Sequence, residues 1–187
     1  MLGRMGRVSQ SQARENRKRI VETAARLFRE RGAAGVSVAD VMTEAGLTHG
    51  GFYKHFASKE ALVAEAVGQA FAQQAERLAT AGETREAFLA RYLSPGHRDS
   101  PGDGCPTAGF GVDLAHSGAD TPARAVFADG VEAYARLLGG DLAALSTMVG
   151  AIVLARATAG TDLSDRILRE AHDSLAAALQ ETSRSSS

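Results

Sequence analysis

Thr48, His49, Tyr53, Lys54 and His55 put a hydroxyl, two imidazoles, a phenol and an ammonium within eight consecutive residues. All of these groups donate hydrogen bonds, which suits phosphate oxygens and the edges of bases. Between them stand Gly50 and Gly51. Glycines are poor helix formers, but without Cβ atoms they let a backbone approach another surface closely. The stretch therefore reads either as a DNA-recognition helix or as a solvated helix face with a flexible glycine pair. A different chemistry is conceivable at Cys105, the single cysteine. A thiol at the amino end of a helix inclines toward thiolate, and with His97 or His116 as base it would be a nucleophile. The plainer alternative is a small buried thiol.

The elements that must hold the first group follow helical spacing. Val38, Val41 and Met42 place apolar groups on one face of a first helix, Ala45-Gly46-Leu47 turns the chain, and Thr48 starts a second helix about two turns long. Phe52 and Phe56, four apart, bury one side of it and leave Tyr53, Lys54 and His55 pointing elsewhere. This is the helix-turn-helix outline. Ser37 with Asp40 three residues on predicts a capping box, and Ser58 predicts the cap of the next helix. Lys59 then falls in a first turn, where a cation opposes the helix dipole and a DNA phosphate would justify it. Ahead of this unit Ile20, Val21, Ala24, Leu27 and Phe28 mark a helix ending at Arg31-Gly32; after it Leu62, Val63, Ala66, Val67, Ala70 and Phe71 mark a longer one.

The order Val38-Ala39-Asp40-Val41, Ala45-Gly46-Leu47-Thr48, Gly51-Phe52-Tyr53-Lys54-His55-Phe56 and Ser58-Lys59-Glu60-Ala61-Leu62 resembles the N-terminal domain of TetR-type (TetR/AcrR) transcriptional regulators. The resemblance covers roughly residues 14–70. It implies an all-α chain: a three-helix helix-turn-helix DNA-binding domain joined by a long helix to a C-terminal helical domain that binds ligand and dimerises. It also implies that Ser37, Thr48, Tyr53, His55 and Lys59 lie at the DNA backbone and that His49, Gly50 and Lys54 lie nearest the bases, with Gly51 beside them. Other members carry different side chains where this chain has His49-Gly50-Gly51, so the operator sequence does not transfer. Some members use a cysteine to sense oxidants or electrophiles, which adds a third reading for Cys105.

The expected organisation is a disordered basic arm over 1–12, the DNA-binding domain over 13–72, the ligand-binding and dimerisation domain over 73–181 and a disordered tail over 182–187. Arg4, Arg7, Arg14, Arg17, Lys18 and Arg19, in and just after the arm, are candidates for nonspecific phosphate contacts, with a solvated charge run as the plainer role for most of them. Residues 94–104 are dense in Pro, Gly, Ser and Asp and read as a loop, with a helix starting near Cys105-Pro106. Phe88, Tyr92, Cys105, Phe110, His116 and Tyr134 are the candidate liners of a pocket for an unknown small-molecule inducer. The last two helices carry apolar stripes including Leu142, Leu145, Val149, Ile152, Ile167, Ala171 and Leu175. The resemblance implies that they pair two copies into a homodimer, and a two-fold dimer is what sets two recognition helices in successive major grooves.

Composition bounds the alternatives. The first 60 residues carry eleven Lys and Arg against six Asp and Glu, a net of +5, leaving −6 for the remainder. A basic front and an acidic back fit a polyanion partner, here double-stranded DNA, at one end only. One cysteine excludes an intrachain disulfide framework, and no spaced Cys and His pattern suggests a metal, so neither metal nor other cofactor is expected. The longest apolar run, residues 142–155, is interrupted by Ser146 and Thr147 and is too short to span a bilayer. A cytoplasmic regulator, not an enzyme, is the expectation; a Cys-dependent enzyme and a helical protein-interaction module are the alternatives.

Overall fold

The computed structural model describes residues 3–118 and 120–185, and among these it contains nine α-helices, two 3₁₀ segments and no strand. Helices α1 (Gly3–Arg31) and α2 (Val38–Glu44) precede a 3₁₀ segment (His49–Lys54) and α3 (Lys59–Ala81). Then come α4 (Arg85–Tyr92), α5 (Pro95–Asp99), a second 3₁₀ turn (Pro101–Asp103), α6 (Pro106–His116), α7 (Pro122–Leu137), α8 (Leu142–Ala157) and α9 (Asp162–Ser185). No helix among the described residues is long and apolar enough to cross a membrane.

Two apolar cores organise these helices. The first gathers Ile20, Ala24, Leu27 and Phe28 of α1, Val41 and Met42 of α2, Phe52 and Phe56, and Leu62, Ala66 and Val67 of α3, and it also takes in Phe110 and Leu114 of α6. The second joins Phe88, Leu89 and Tyr92 of α4 to Cys105, Tyr134, Leu145, Met148, Ile152 and Leu168. Phe71 of α3 packs against both. Its ring meets Phe127 of α7 edge-on, with centroids 5.8 Å apart. Side chains this close-packed transmit displacement, so α3 is the shared beam between the two halves.

Several boundaries differ from the sequence-based expectations. Helix α1 begins at Gly3, so residues 3–12 are its first turns and not a disordered arm; Met1, Leu2 and the side chains of Arg4 and Arg7 lie outside the described residues. Helix α3 runs through residue 72 to Ala81, and its C-cap Gly82 is left-handed, so the expected division between 72 and 73 falls inside one helix. Helix α9 continues to Ser185, which makes residues 182–185 helical; Ser186 and Ser187 lie outside the described residues.

The largest difference is at residues 94–104. Ser94 caps α5 by accepting the His97 N–H at 3.2 Å, with Pro95 at the first helical position, where its missing N–H costs nothing. Arginines from three helices then hold the segment. Arg29 of α1 donates to the Gly104 carbonyl at 3.0 Å, Arg77 of α3 to the Asp103 carbonyl at 2.6 Å, and Arg156 of α8 to the His97 and Arg98 carbonyls at 3.0 and 3.1 Å. Arg98 in turn reaches Ser164 and Asp165 of α9 at 2.9 and 2.6 Å. A Cβ on Gly104 would lie 2.8 and 2.9 Å from Arg156 and His97, which is why this crowded point is a glycine. The supposed loop is a junction.

Candidate nucleic-acid interface

The capping box foreseen at α2 is present: the Ser37 hydroxyl accepts the Asp40 N–H at 3.1 Å and the Asp40 carboxylate accepts the Ser37 N–H at 2.8 Å. The hydroxyl also donates to Asp40 at 2.6 Å. Ser37 and then its backbone N–H hold the Asp40 carboxyl below its ordinary value. With its one proton committed, the Ser37 hydroxyl offers a phosphate no donor until it turns away from Asp40. The turn that follows closes with the Leu47 N–H on the Met42 carbonyl at 2.9 Å, and Gly46 takes φ +67°, a left-handed position where a Cβ would be strained.

Thr48 caps the next segment with extended backbone and no capping bond from its side chain, so its exposed hydroxyl is available to an outside partner. The second helix expected after Thr48 is present as the segment His49–Lys54, wound as a 3₁₀ helix. Its opening bond, from the Gly51 N–H to the Thr48 carbonyl at 2.9 Å, spans three residues. Two glycines weaken the α-helical ladder, and the tighter winding fits a span this short.

Phe52 is fully buried and Phe56 3% exposed, their rings stacked with centroids 5.5 Å apart. The Arg17 guanidinium lies 4.6 Å from the centre of the Phe56 ring and is itself paired with Glu65 of α3 through two nitrogens, the second at 2.6 Å. These contacts fix the segment on the first core. Tyr53, by contrast, is 70% exposed; His49, Gly50 and Lys54 are also exposed, while Gly51 and His55 are half-buried. A Cβ placed on Gly50 meets no protein atom within 4 Å, so the chain's own packing does not require a glycine there. Ser58 caps α3 by accepting the Ala61 N–H at 3.2 Å, leaving half-buried Lys59 at its first residue.

The six candidate pocket liners separate. Phe88, Tyr92, Cys105 and Tyr134 meet in the second core. Phe88 also borders a cavity of about 230 Å³ between α4, α8 and α9, and Tyr134 one of about 30 Å³. Phe110 and His116 instead line a cavity of about 580 Å³ shared by the end of α1, the start of α3 and the α6–α7 connection. Lys59 lines it too, as do Asp113 and Thr121, which the sequence reading did not single out. For Thr121 a signal was available: Thr before Pro marks a helix start, so residues near it gather where α7 begins.

Cys105 is 1% exposed and stands at the N-cap of α6. Its backbone N–H donates to His97 Nε2 at 3.0 Å, and His97 Nδ1 lies 2.7 Å from the Tyr92 carbonyl. An N–H partner on one side and a carbonyl on the other fix the tautomer with the proton on Nδ1. Both ring nitrogens are thus spent on backbone groups, and no lone pair remains for the thiol. Burial pushes the His97 pKa down to about 4, with Arg156 and Arg91 adding to the effect and the Tyr92 carbonyl opposing it. The Tyr92 hydroxyl is buried without a hydrogen-bond partner, and burial, then the neighbouring Cys105 and Tyr134, hold its pKa well above the phenol value.

Of the candidate dimer residues, Leu145 and Ile152 are 2% and 0% exposed and face the protomer's own core, where they are unavailable to a second copy. Val149, Ile167, Ala171 and Leu175 are half-buried. Leu142 and Leu154 are each 56% exposed and Leu163 42%. Helix α8 is apolar on nearly every side, so spacing alone gave no inward face.

Residues 20–66 match the family model for bacterial regulatory proteins of the tetR family. Over 191 aligned residues the chain is 30% identical to an uncharacterised HTH-type transcriptional regulator of Mycobacterium tuberculosis, covering 90% of this chain and 98% of that one. It is 37% identical over 82 residues to the HTH-type transcriptional regulator TtgR of Pseudomonas putida, which spans 44% of this chain but only 39% of TtgR. A solved TetR transcriptional regulator from Chloroflexus aurantiacus superposes with a TM-score of 0.65 at 28% identity, covering 91% of this chain and 96% of the other.

Proposed function

Because the chain belongs to the TetR family of bacterial regulatory proteins, we propose that it is a DNA-binding transcriptional repressor that leaves a pseudo-palindromic operator when a small molecule binds. The observation that carries this reading is the contrast between two neighbours, Phe52 fully buried and Tyr53 70% exposed. A donor-bearing ring is held out from a segment whose other side is anchored in a core, which is costly to arrange for a face that meets only water. Thr48, Tyr53, His55 and Lys59 serve the phosphates, with Ser37 joining them once its hydroxyl leaves Asp40. His49 and Lys54 reach base edges, and Gly50 and Gly51 admit the DNA surface.

A homodimer through α8 and α9 completes the assembly, with the exposed Leu142, Leu154 and Leu163 beside half-buried Val149, Ile167, Ala171 and Leu175. Two copies then present recognition segments about one helical turn of DNA apart, roughly 34 Å. The effector acts only if it binds the released conformation better than the operator-bound one. A small molecule is favoured over modification of Cys105, because the thiol is buried.

Fluorescence anisotropy of the full chain on duplex from upstream of its own gene, in competition with unrelated duplex, tests the reading. Saturable binding that survives competitor and weakens steeply between about 50 and 200 mM salt is expected. No preference there, followed by no enrichment in a selection from random duplexes, would sink it.

A further inference from the structure

The cavity of about 580 Å³ between the two halves is large enough for a small ligand and has Lys59 in its lining. Its groups divide by whether their hydrogen bonds are already made. The Asp113 carboxylate accepts the Ala33 N–H. The Glu60 carboxylate is held below its ordinary value by its own backbone N–H and then by the Ser58 hydroxyl. Asp120, the remaining carboxylate of the lining, is solvent-exposed. The donors are different. Lys59 makes no ion pair within 4 Å among the described residues, although it is half-buried. The Thr121 hydroxyl is buried with no hydrogen-bond partner. Thr121 is also the N-cap of α7 and forms no capping bond, so the amino end of a sixteen-residue helix lies beside it, as the amino end of α3 lies at Lys59. Unmet donors and the uncapped amino end of α7, on an apolar floor of Val63 and Phe110, describe a receptor for a negatively charged head on an apolar body; the amino end of α3 is already capped by Ser58 and Glu60.

We propose that this cavity binds a small amphiphilic carboxylate, its head on Lys59 and Thr121 and its apolar part against Val63 and Phe110. The inference rests on the DNA-binding reading for one of its consequences. Lys59 is there assigned to an operator phosphate, so a carboxylate that takes the same ammonium competes with DNA for one charge. The ligand also sits where α1 and α3 meet α6 and α7, and so fixes the recognition segment relative to the second core. Effector and operator would then exclude each other through a shared side chain as well as through a change of shape.

Calorimetric titration of the full chain with decanoate, decylammonium and decanol tests the site without DNA. One decanoate per chain is expected, with decylammonium at least about tenfold weaker because it lacks the charge-assisted bonds. Lys59→Met should weaken decanoate about tenfold or more and leave decanol unchanged, and Thr121→Val should weaken it several-fold. Equal binding of the anion and the cation, or decanoate binding indifferent to both substitutions, overturns the proposal. Anisotropy with the operator duplex supplies the second readout. Decanoate should release wild-type protein, and Thr121→Val should bind DNA normally but need several-fold more decanoate for release. Absence of operator binding would fail the DNA reading while the calorimetry still decides the site. Operator binding without decanoate binding would fail the site alone.

Discussion

Arg29 and Gly104, 75 residues apart, meet in a buried hydrogen bond in which the guanidinium donates to the carbonyl at 3.0 Å. Arg29 also bonds the Ala25 carbonyl of its own helix at 2.9 Å, and burial pulls its pKa down to about 10, still protonated at neutral pH. The helix that backs the recognition segment is thereby tied to the junction at 94–104. Arg29→Lys keeps the charge but lacks the planar fork needed to reach both carbonyls. Urea unfolding should show a loss of roughly 2 kcal/mol, since a buried carbonyl loses a charged donor. An unchanged midpoint would mean that the tie contributes nothing.

His97 makes stability depend on pH. Its folded pKa, about 4, lies below the ordinary 6.5, so the unfolded chain takes up a proton before the folded one does. Stability from this group is full above about pH 6.5 and is lost as pH falls toward 4, by up to about 3 kcal/mol. Urea midpoints measured from pH 7.5 down to 4.5 should decline for the wild type and decline less for His97→Gln. Parallel declines would assign the acid sensitivity to other groups.

Gly50 offers a separation of folding from binding. With no protein atom within 4 Å of a built Cβ and no left-handed φ, Gly50→Val should leave the thermal midpoint within a few degrees of wild type. Operator affinity should drop by about tenfold or more, equivalent to roughly 1.4 kcal/mol, as the added methyls hold the DNA surface away. Retained affinity would place the DNA elsewhere on the molecule.

Cys105 should be slow to react. At 1% exposure the thiol reaches solvent only when the surrounding core opens. A chromogenic disulfide reagent should label native protein on the order of a hundredfold more slowly than urea-unfolded protein, with the difference shrinking as urea rises. Labelling as fast in the native state as in the unfolded one would return the cysteine to the list of sensors.

The helix-turn-helix was legible in the sequence because its determinants are local. Ser37 and Asp40 cap each other three residues apart, Gly46 supplies the left-handed turn, and Phe52 and Phe56 bury one side. What escaped was set by distant partners. Proline and glycine at 94–104 signal turns, and nothing nearby announces that Arg29, Arg77 and Arg156 will take up the carbonyls. In α8 no polar face distinguishes inside from outside, so spacing groups Leu145 and Ile152 with Leu142 in one stripe although they point inward. The cavity at Lys59 was illegible because its walls come from four stretches of chain, and its unmet donor, Thr121, is defined only by who fails to bond it.

The arginine-held junction has a practical consequence for anyone wishing to splice a reporter domain into this chain. Its proline- and glycine-rich sequence makes residues 94–104 look like the natural insertion point, yet an insert there would have to break bonds reaching into α1, α3 and α8. Gly82 is the better seam. It is exposed, left-handed, and clear of any neighbour within 4 Å of a Cβ built on it, and it separates α3 from α4 without serving as anyone's anchor.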